Sequence, residues 1–551
     1  MTGQAAMNSA ARDSALAALA SMQVRPTGLV EYRSRGKVLV LGGDQGLEFE
    51  SGQPDSGTLS DVLLASGRVE PDAVIFPSAG TQVAIDGYLG AFSVSLGVPG
   101  TANHEVMTAD LILDLGNEPI LKMPVKPPGY LVADGGDEGE LLNALDQLGD
   151  LVGTFEKPQY YTLDANICAH RRSGRTGCTR CLEACPTLAI SSRAESIEVD
   201  PYLCQGCGIC TATCPSGAIR YAYPEASATQ DFIRKLLRHY FEEGGRHPVI
   251  GLVCESAGEP GRGWPDQLLP VVVEELTSVG MDVWLSALAY GAAAVVVIDT
   301  GTVPAGASEA LDEQLDFARG LLGGMGFDCD VLVRRSQDEL NLLELPVMPD
   351  IVRATHAGTN DKRQATFFAI DHLAAQTTPV ENELSLPARA PFGRIHVDSE
   401  RCTLCMGCTS VCPSAAVHSA NDLPRLLFTE ERCTQCGICQ SACPEGAITL
   451  QARLVTDPGQ RRSPIVLNEE SPFLCLSCGK AFATRSIIDT IMEKLSGHAM
   501  FQDERAKKRL MMCEDCRVVD AVQDEEAMLT AQGGIGRGAP AAGDNDGITA
   551  A

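Results

Sequence analysis

Sixteen cysteines stand in two blocks with a spacing that suits metal–sulfur chemistry. The second block reads Cys402-x2-Cys405-x2-Cys408-x3-Cys412-Pro413, then Cys433-x2-Cys436-x2-Cys439-x3-Cys443-Pro444. A cubane iron–sulfur cluster needs four thiolates at the corners of a tetrahedron. Two-residue spacers let three sulfurs of one loop converge while the intervening amide N–H groups point at the cluster, and the Cys before Pro serves the other cluster. This pattern assigns Cys402, Cys405, Cys408 and Cys443 to one [4Fe–4S] site, and Cys433, Cys436, Cys439 and Cys412 to its twin.

The first block repeats the pattern with one departure: Cys168-x9-Cys178-x2-Cys181-x3-Cys185-Pro186, then Cys204-x2-Cys207-x2-Cys210-x3-Cys214-Pro215. The insert AHRRSGRTG stretches the first spacer and is expected to loop out, bringing Arg171, Arg172 and Arg175 near the cluster. The stretched site would use Cys168, Cys178, Cys181 and Cys214, and the regular one Cys204, Cys207, Cys210 and Cys185. A zinc site needs only four thiolates and gives no reason for eight cysteines with two Cys-Pro ends in each block. No ligand slot is filled by Asp, which favours four-iron over three-iron clusters.

The other letters of the blocks fit the same chemistry. Burying an anionic cluster is costly unless dipoles are turned towards it. Gly206, Gly208, Gly407 and Gly437 are expected to supply the unusual backbone angles that aim those amides. Pro413 and Pro444 set the chain direction without adding an N–H.

Both blocks resemble bacterial-type two-cluster ferredoxins, over about 159–223 and 393–452. The resemblance implies a pseudo-twofold βαββαβ fold in each, with RIHVD and SIEVD as flanking strands and GAITLQ and GAIRYA as their partners. The whole arrangement resembles multidomain proteobacterial 4Fe–4S proteins associated with molybdenum formate dehydrogenases. That implies redox partner proteins, with a formate dehydrogenase or related complex among them.

A shorter module carries Cys475-x2-Cys478 and Cys513-x2-Cys516, two knuckles flanking the helical segment TRSIIDTIMEKLSG. They resemble zinc-ribbon-like knuckles and supply a tetrahedral site of four sulfurs. Structural zinc is the expectation, with a further iron–sulfur centre or a redox-active pair as the alternatives. From 248 to about 333, GLVCESAG and LSALAYGAAAVVVID resemble the delta-subunit domain of methyl-viologen-reducing hydrogenases. That family holds a two-iron cluster here with several cysteines. This chain keeps only Cys254 and Cys329, for which buried structural thiols are expected.

The elements that must position these groups read as a multidomain α/β plus α+β protein. It comprises two ferredoxin-like two-cluster modules, two α/β domains and the C-terminal zinc-ribbon-like module. A flexible Ala-rich leader is expected over 1–35 and an α/β domain over 36–157, from the runs KVLVLGG, DAVIFPSAG, AFSVSLG, DLILDLG and GYLVADGG. The first ferredoxin module spans 158–225, and a second α/β domain with hydrogenase-delta resemblance spans 226–392. The second ferredoxin module spans 393–452, the four-cysteine zinc-ribbon-like module 453–522 and a disordered tail 523–551. LVLGGDQG lacks the dinucleotide fingerprint and reads as a plain strand-to-loop turn. No Ser/His/Asp grouping stands out.

Bulk properties set the limits. With 551 residues, 44% hydrophobic, the chain is globular and multidomain. A net charge of −29 disfavours nucleic acid and anionic membrane surfaces, and suits solubility or a basic docking face. Clustered thiols point to a reducing compartment. The first residues lack the basic and apolar regions of an export signal, and the Arg pairs at Arg171 and Arg461 are internal. No stretch reaches the length of an uncharged spanning helix. These features make a cytoplasmic protein without membrane insertion the expectation.

The reading is a soluble polyferredoxin with four [4Fe–4S] clusters and one Zn2+, passing single electrons to or from an oxidoreductase. It is an electron carrier or accessory subunit rather than a stand-alone enzyme. The alternatives are an assembly or accessory factor for such an enzyme, and an iron–sulfur subunit of an oxidoreductase complex.

Overall fold

A computed structural model describes residues 2–19, 28–42, 71–75, 82–98, 104–116, 118–134, 137–254, 264–342, 348–377, 381–420, 423–495, 497–498 and 501–524. The glycine-rich turn at 43–46, the segment 255–263 and the tail from 525 lie outside the described residues.

The largest core belongs to a four-stranded parallel sheet in the order Leu268–Val273, Val249–Cys254, Ala294–Asp299, Leu332–Ser336. Helices cover it, so VIGLVC is buried at every position and reads as a continuous apolar run rather than an alternation. Helix Met281–Ala289 is buried along its whole length and packs on helix Lys362–Ala374. Helix Ala305–Gly324 reaches outward to the short helices Arg180–Ala184 and Ile209–Thr213 of the first cysteine block.

The start of the chain departs from the expected flexible leader. Thr2–Ala18 is a helix packed along Ala226–Glu242, with Ala11 and Ala15 in the main core. Alanine favours helix most strongly, and small residues four apart let two helices approach closely. Leu29–Ser34 then pairs antiparallel with Gly153–Pro158, its residues alternating exposed and buried. A second parallel sheet follows in the order Pro71–Ile75, Val38–Gly42, Leu111–Leu115, Tyr130–Val132. The AFSVSLG run lies outside it, in an antiparallel sheet of Val83–Asp86, Phe92–Leu96 and Glu105–Ala109. Helix Glu138–Asp150 starts at Asp137, whose carboxylate accepts from Gly139 N and Glu140 N.

Each cysteine block has two short helices between small antiparallel pairings. In the second block Gly393–Val397 pairs with Ile448–Val455, as expected for RIHVD and GAITLQ. In the first, Ile219–Tyr221 pairs with Tyr161–Leu163, while Ile197–Val199 pairs with Ile190–Ser192. The expected SIEVD–GAIRYA pairing is therefore wrong. SIEVD precedes the second cysteine run of its block, so its counterpart is Arg425–Phe428, which likewise pairs with the strand just before it, Val417–Ser419. Strands Glu383–Ser385 and Ile465–Glu469 extend the two sheets of the second block.

Candidate metal centres

The short helices Ile209–Thr213 and Ile438–Ala442 begin at left-handed Gly208 and Gly437, with φ of 76° and 78°. Two residues earlier, Gly206 and Gln435 are also left-handed. These turns aim amides at sulfur. Cys204 accepts from the N–H of Gly206, Cys207 from Ile209, Cys433 from Gln435, and Cys436 from Ile438. Cys168 and Cys178 accept likewise from His170 and Arg180. In the Cys402 run, the left-handed residues are Leu404 and Met406, at φ 53° and 60°, and not Gly407 as expected. The backbone slot is set by its offset from the first cysteine, and Gly407 stands one residue past it.

The thiols close enough to raise one another's pKa fall into four groups. Cys181 is raised by burial first and then by Cys214, Cys178 and Cys168. Cys210 is raised far by burial, then by Cys207, Cys204 and Cys185. Cys408 is pushed up to about 12 by burial, then by Cys402, Cys405 and Cys443. Cys439 is raised by burial, then by Cys436, Cys433 and Cys412. A bound cation reverses this logic, because a coordinating thiol is deprotonated outright. Converging thiols with amide N–H groups aimed at them, in apolar surroundings, fit an iron–sulfur cluster. Cys402, Cys405, Cys408 and Cys443 line one pocket with Leu404, Met406, Leu426 and Ile448.

Hydroxyl groups two residues after three of the Cys-Pro cysteines also reach sulfur. The distances are 3.4 Å for Cys185–Thr187, 3.7 Å for Cys214–Ser216 and 3.6 Å for Cys412–Ser414. At Cys443 the Ala447 amide takes that place, at 3.3 Å. The recurrence of Ser or Thr after Cys-Pro is visible in the sequence and carries this signal.

The four groups form a row. Cys181 lies near Cys210 within the first block, Cys178 near Cys436 across the blocks, and Cys439 near Cys408 within the second. The row runs from the Cys204 group through the Cys168 and Cys433 groups to the Cys402 group. The Cys204 end is covered: Lys157 Nζ donates to Cys204 O at 2.6 Å, and Thr277 Oγ1 donates to Cys207 O. At the other end Cys405 is exposed, alone among the sixteen.

The insert is not a free loop. Arg171–Arg172 and Arg175–Thr176 form a hairpin that contacts helix Ile438–Ala442 of the second block. Arg175 is exposed, and Arg172 is the insert arginine that acts on Cys168. The buried cation beside this group is Arg180, whose charge favours ionised Cys178 and Cys214. Two further cations, Lys362 and Arg363, carry no signal in the sequence. Lys362 Nζ donates to Thr211 O at 2.7 Å and to Ala212 O. The Arg363 guanidinium donates to Pro215 O in the first block and to Glu431 O and Cys433 O in the second. Nothing near Lys362 along the chain points to a partner 151 residues away.

The C-terminal cysteines are gathered more tightly. The sulfurs of Cys475, Cys478, Cys513 and Cys516 all lie within 4.8 Å of one another. Cys478 Sγ and Cys513 Sγ are 3.7 Å apart. Tetrahedral geometry at a Zn–S length of about 2.3 Å puts sulfurs roughly 3.8 Å apart, so one metal ion fits. No other group of three or more His, Cys or carboxylate ligands comes this close among the described residues. Against the cost of desolvation, the N–H groups of Cys513, Cys478 and Ser477 hold the Cys475 thiol down to about 6. The module rests on the Cys402 end of the row, where Thr484 Oγ1 donates to Thr403 O at 3.1 Å.

Cys254 is buried and donates to Glu274 O at 2.9 Å, whereas Cys329 is exposed, contrary to expectation. Cys254 ends its strand and Cys329 precedes the parallel strand Leu332–Ser336, so they lie at opposite ends of the sheet and cannot share a cluster. No described helix is long and apolar enough to cross a membrane.

Comparisons with known proteins point to iron–sulfur domains at both blocks. A family described as a 4Fe-4S dicluster domain matches 175–222, beginning inside the insert and so beyond Cys168. A family described as a 4Fe-4S binding domain matches 395–418 and 427–449. Hydrogenase-4 component A of Escherichia coli (strain K12) is 49% identical over 39 residues, 7% of this chain and 19% of that protein. The chain carries 4Fe–4S ferredoxin-type domains at both cysteine blocks.

Proposed function

We propose that the protein is an electron carrier or accessory subunit holding four [4Fe–4S] clusters and one structural zinc. The Cys168, Cys204, Cys402 and Cys433 groups are the cluster ligands, and Cys475, Cys478, Cys513 and Cys516 hold the zinc. One observation carries this reading: all sixteen thiols of the two blocks gather into four groups of four, each drawing three from one run and one from a distant Cys-Pro. When bound, each cluster supplies one-electron chemistry. The chain buries the ligands, excludes water with apolar side chains and turns amide and hydroxyl dipoles onto sulfur.

The partner is an oxidoreductase complex. The segment similar to hydrogenase-4 component A and the resemblance to formate-dehydrogenase-associated proteins both support that class, with a formate dehydrogenase as the specific candidate. The test is anaerobic affinity capture from the native cell, followed by reduction of this protein by the purified partner and its substrate. Capture of an oxidoreductase that reduces or oxidises the clusters supports the reading. A captured enzyme that exchanges no electrons with it points to an assembly factor.

A further inference from the structure

The insert between Cys168 and Cys178 contributes no ligand, yet it meets the second cysteine block directly. Its last glycine, Gly177, abuts the Cys436 loop: a Cβ added there would lie 2.9 Å from Ile438 Cβ and 3.2 Å from Cys436 O. Beside it, Ser441 Oγ donates to Thr176 O at 3.1 Å. The ligand that follows, Cys178, is the next residue after Gly177 and so stands beside the Cys436 loop. At the hairpin tip, by contrast, a Cβ added at Gly174 would meet nothing within 4 Å. The contact includes the base of the hairpin, next to the ligand.

A second element closes the same joint. Arg363 is half-buried and donates to Pro215 O at 3.4 Å, Pro391 O at 3.0 Å, Glu431 O at 2.7 Å and Cys433 O at 2.9 Å. Its guanidinium also lies over the Phe367 and Phe392 rings. A planar fork that bonds carbonyls on both sides fixes their separation, which a flexible ammonium could not do as well. The two blocks are thus held both by Arg363 and by the hairpin.

We propose that the insert is a coupling element that joins the two modules into one four-cluster path. The inter-module step runs between the Cys178 and Cys436 sites, and Arg363 clamps that joint. This rests on the four-cluster reading. The step moves one electron from a reduced site to an oxidised neighbour, with no bond made or broken and no proton required. A regular two-residue spacer, as in the other three runs, would hold a cluster equally well but would leave nothing to meet the Cys436 loop. The extra residues are explained by docking rather than by ligation.

The test uses the full chain after anaerobic reconstitution with iron and sulfide, and three variants. One replaces the insert by the Thr-Leu spacer of the Cys402 run. Gly177→Val wedges the joint, and Arg363→Gln loosens it without touching a sulfur. Gly174→Asn is the control, since Asn tolerates its left-handed backbone. Iron per chain is measured first, then the spin–spin splitting of the dithionite-reduced EPR spectrum, then the rate at which electrons equilibrate between modules after rapid mixing with substoichiometric dithionite. The expected result is parental iron in every variant that retains both modules. The inter-module splitting should be lost and equilibration slowed several-fold in the three joint variants, and neither should change in Gly174→Asn. Where a variant loses iron, the comparison rests on those that keep it, Arg363→Gln first. Iron-replete variants with parental splitting and kinetics overturn the coupling role. A parent that fails to bind four clusters' iron overturns the underlying reading instead.

Discussion

Cys478 Sγ lies 3.7 Å from Cys513 Sγ, a separation that suits one tetrahedral ion and is too short for thiols spread around a cubane. The double variant Cys513→Ser, Cys516→Ser should therefore lose about one zinc per chain and keep all its iron. Metal analysis of parent and variant checks this. Iron departing with these two thiols, with no zinc in the parent, would assign the module to the electron path.

Charge beside the Cys168 group comes from Arg180 and Arg172, not from the exposed Arg175. Positive charge favours the more negative reduced state, so removing it lowers a cluster's potential. Arg180→Gln should lower one of four potentials in a redox titration, while Arg175→Gln should leave all four in place, because Arg175 is exposed. A shift caused by Arg175→Gln alone would contradict this assignment.

Ser414 contacts the Cys412 sulfur at 3.6 Å, and hydrogen bonds to sulfur raise cluster potentials. Ser414→Ala should lower the potential of the site containing Cys412 and spare the one containing Cys443, which has no hydroxyl counterpart. A titration in which the Cys443 site moves instead would count against it.

The N-terminal helix contributes to the main core through Ala15, which is fully buried, while Ala17 faces solvent. Ala15→Leu should destabilise the protein by about 1–3 kcal/mol through overpacking. Ala17→Leu should be close to neutral. Thermal unfolding of both variants checks this, and equal melting temperatures would restore the flexible-leader expectation.

What was legible in the sequence follows from where each contact lies. The proposed cysteine groups were readable because three cysteines of each lie in one run, closely spaced in all but the Cys168 run, and the fourth precedes a proline. The left-handed slots could be read only in part: Gly206, Gly208 and Gly437 betray them, but Leu404, Met406 and Gln435 adopt the same backbone with side chains that give no warning. The Ala-rich helix carries too little apolar character to announce a buried face until its partner, Ala226–Glu242, is in place. The role of the insert depends on Ser441, 265 residues from Thr176, and no local pattern encodes that meeting.

The central claim is tested most directly by iron quantitation joined to Mössbauer and EPR spectroscopy on anaerobically reconstituted protein. Four [4Fe–4S] clusters predict about sixteen iron per chain, Mössbauer parameters of cubanes throughout, and spin-coupled S = 1/2 signals after dithionite reduction. A colourless protein, or one whose iron stops at about eight per chain with a single block occupied, would contradict it.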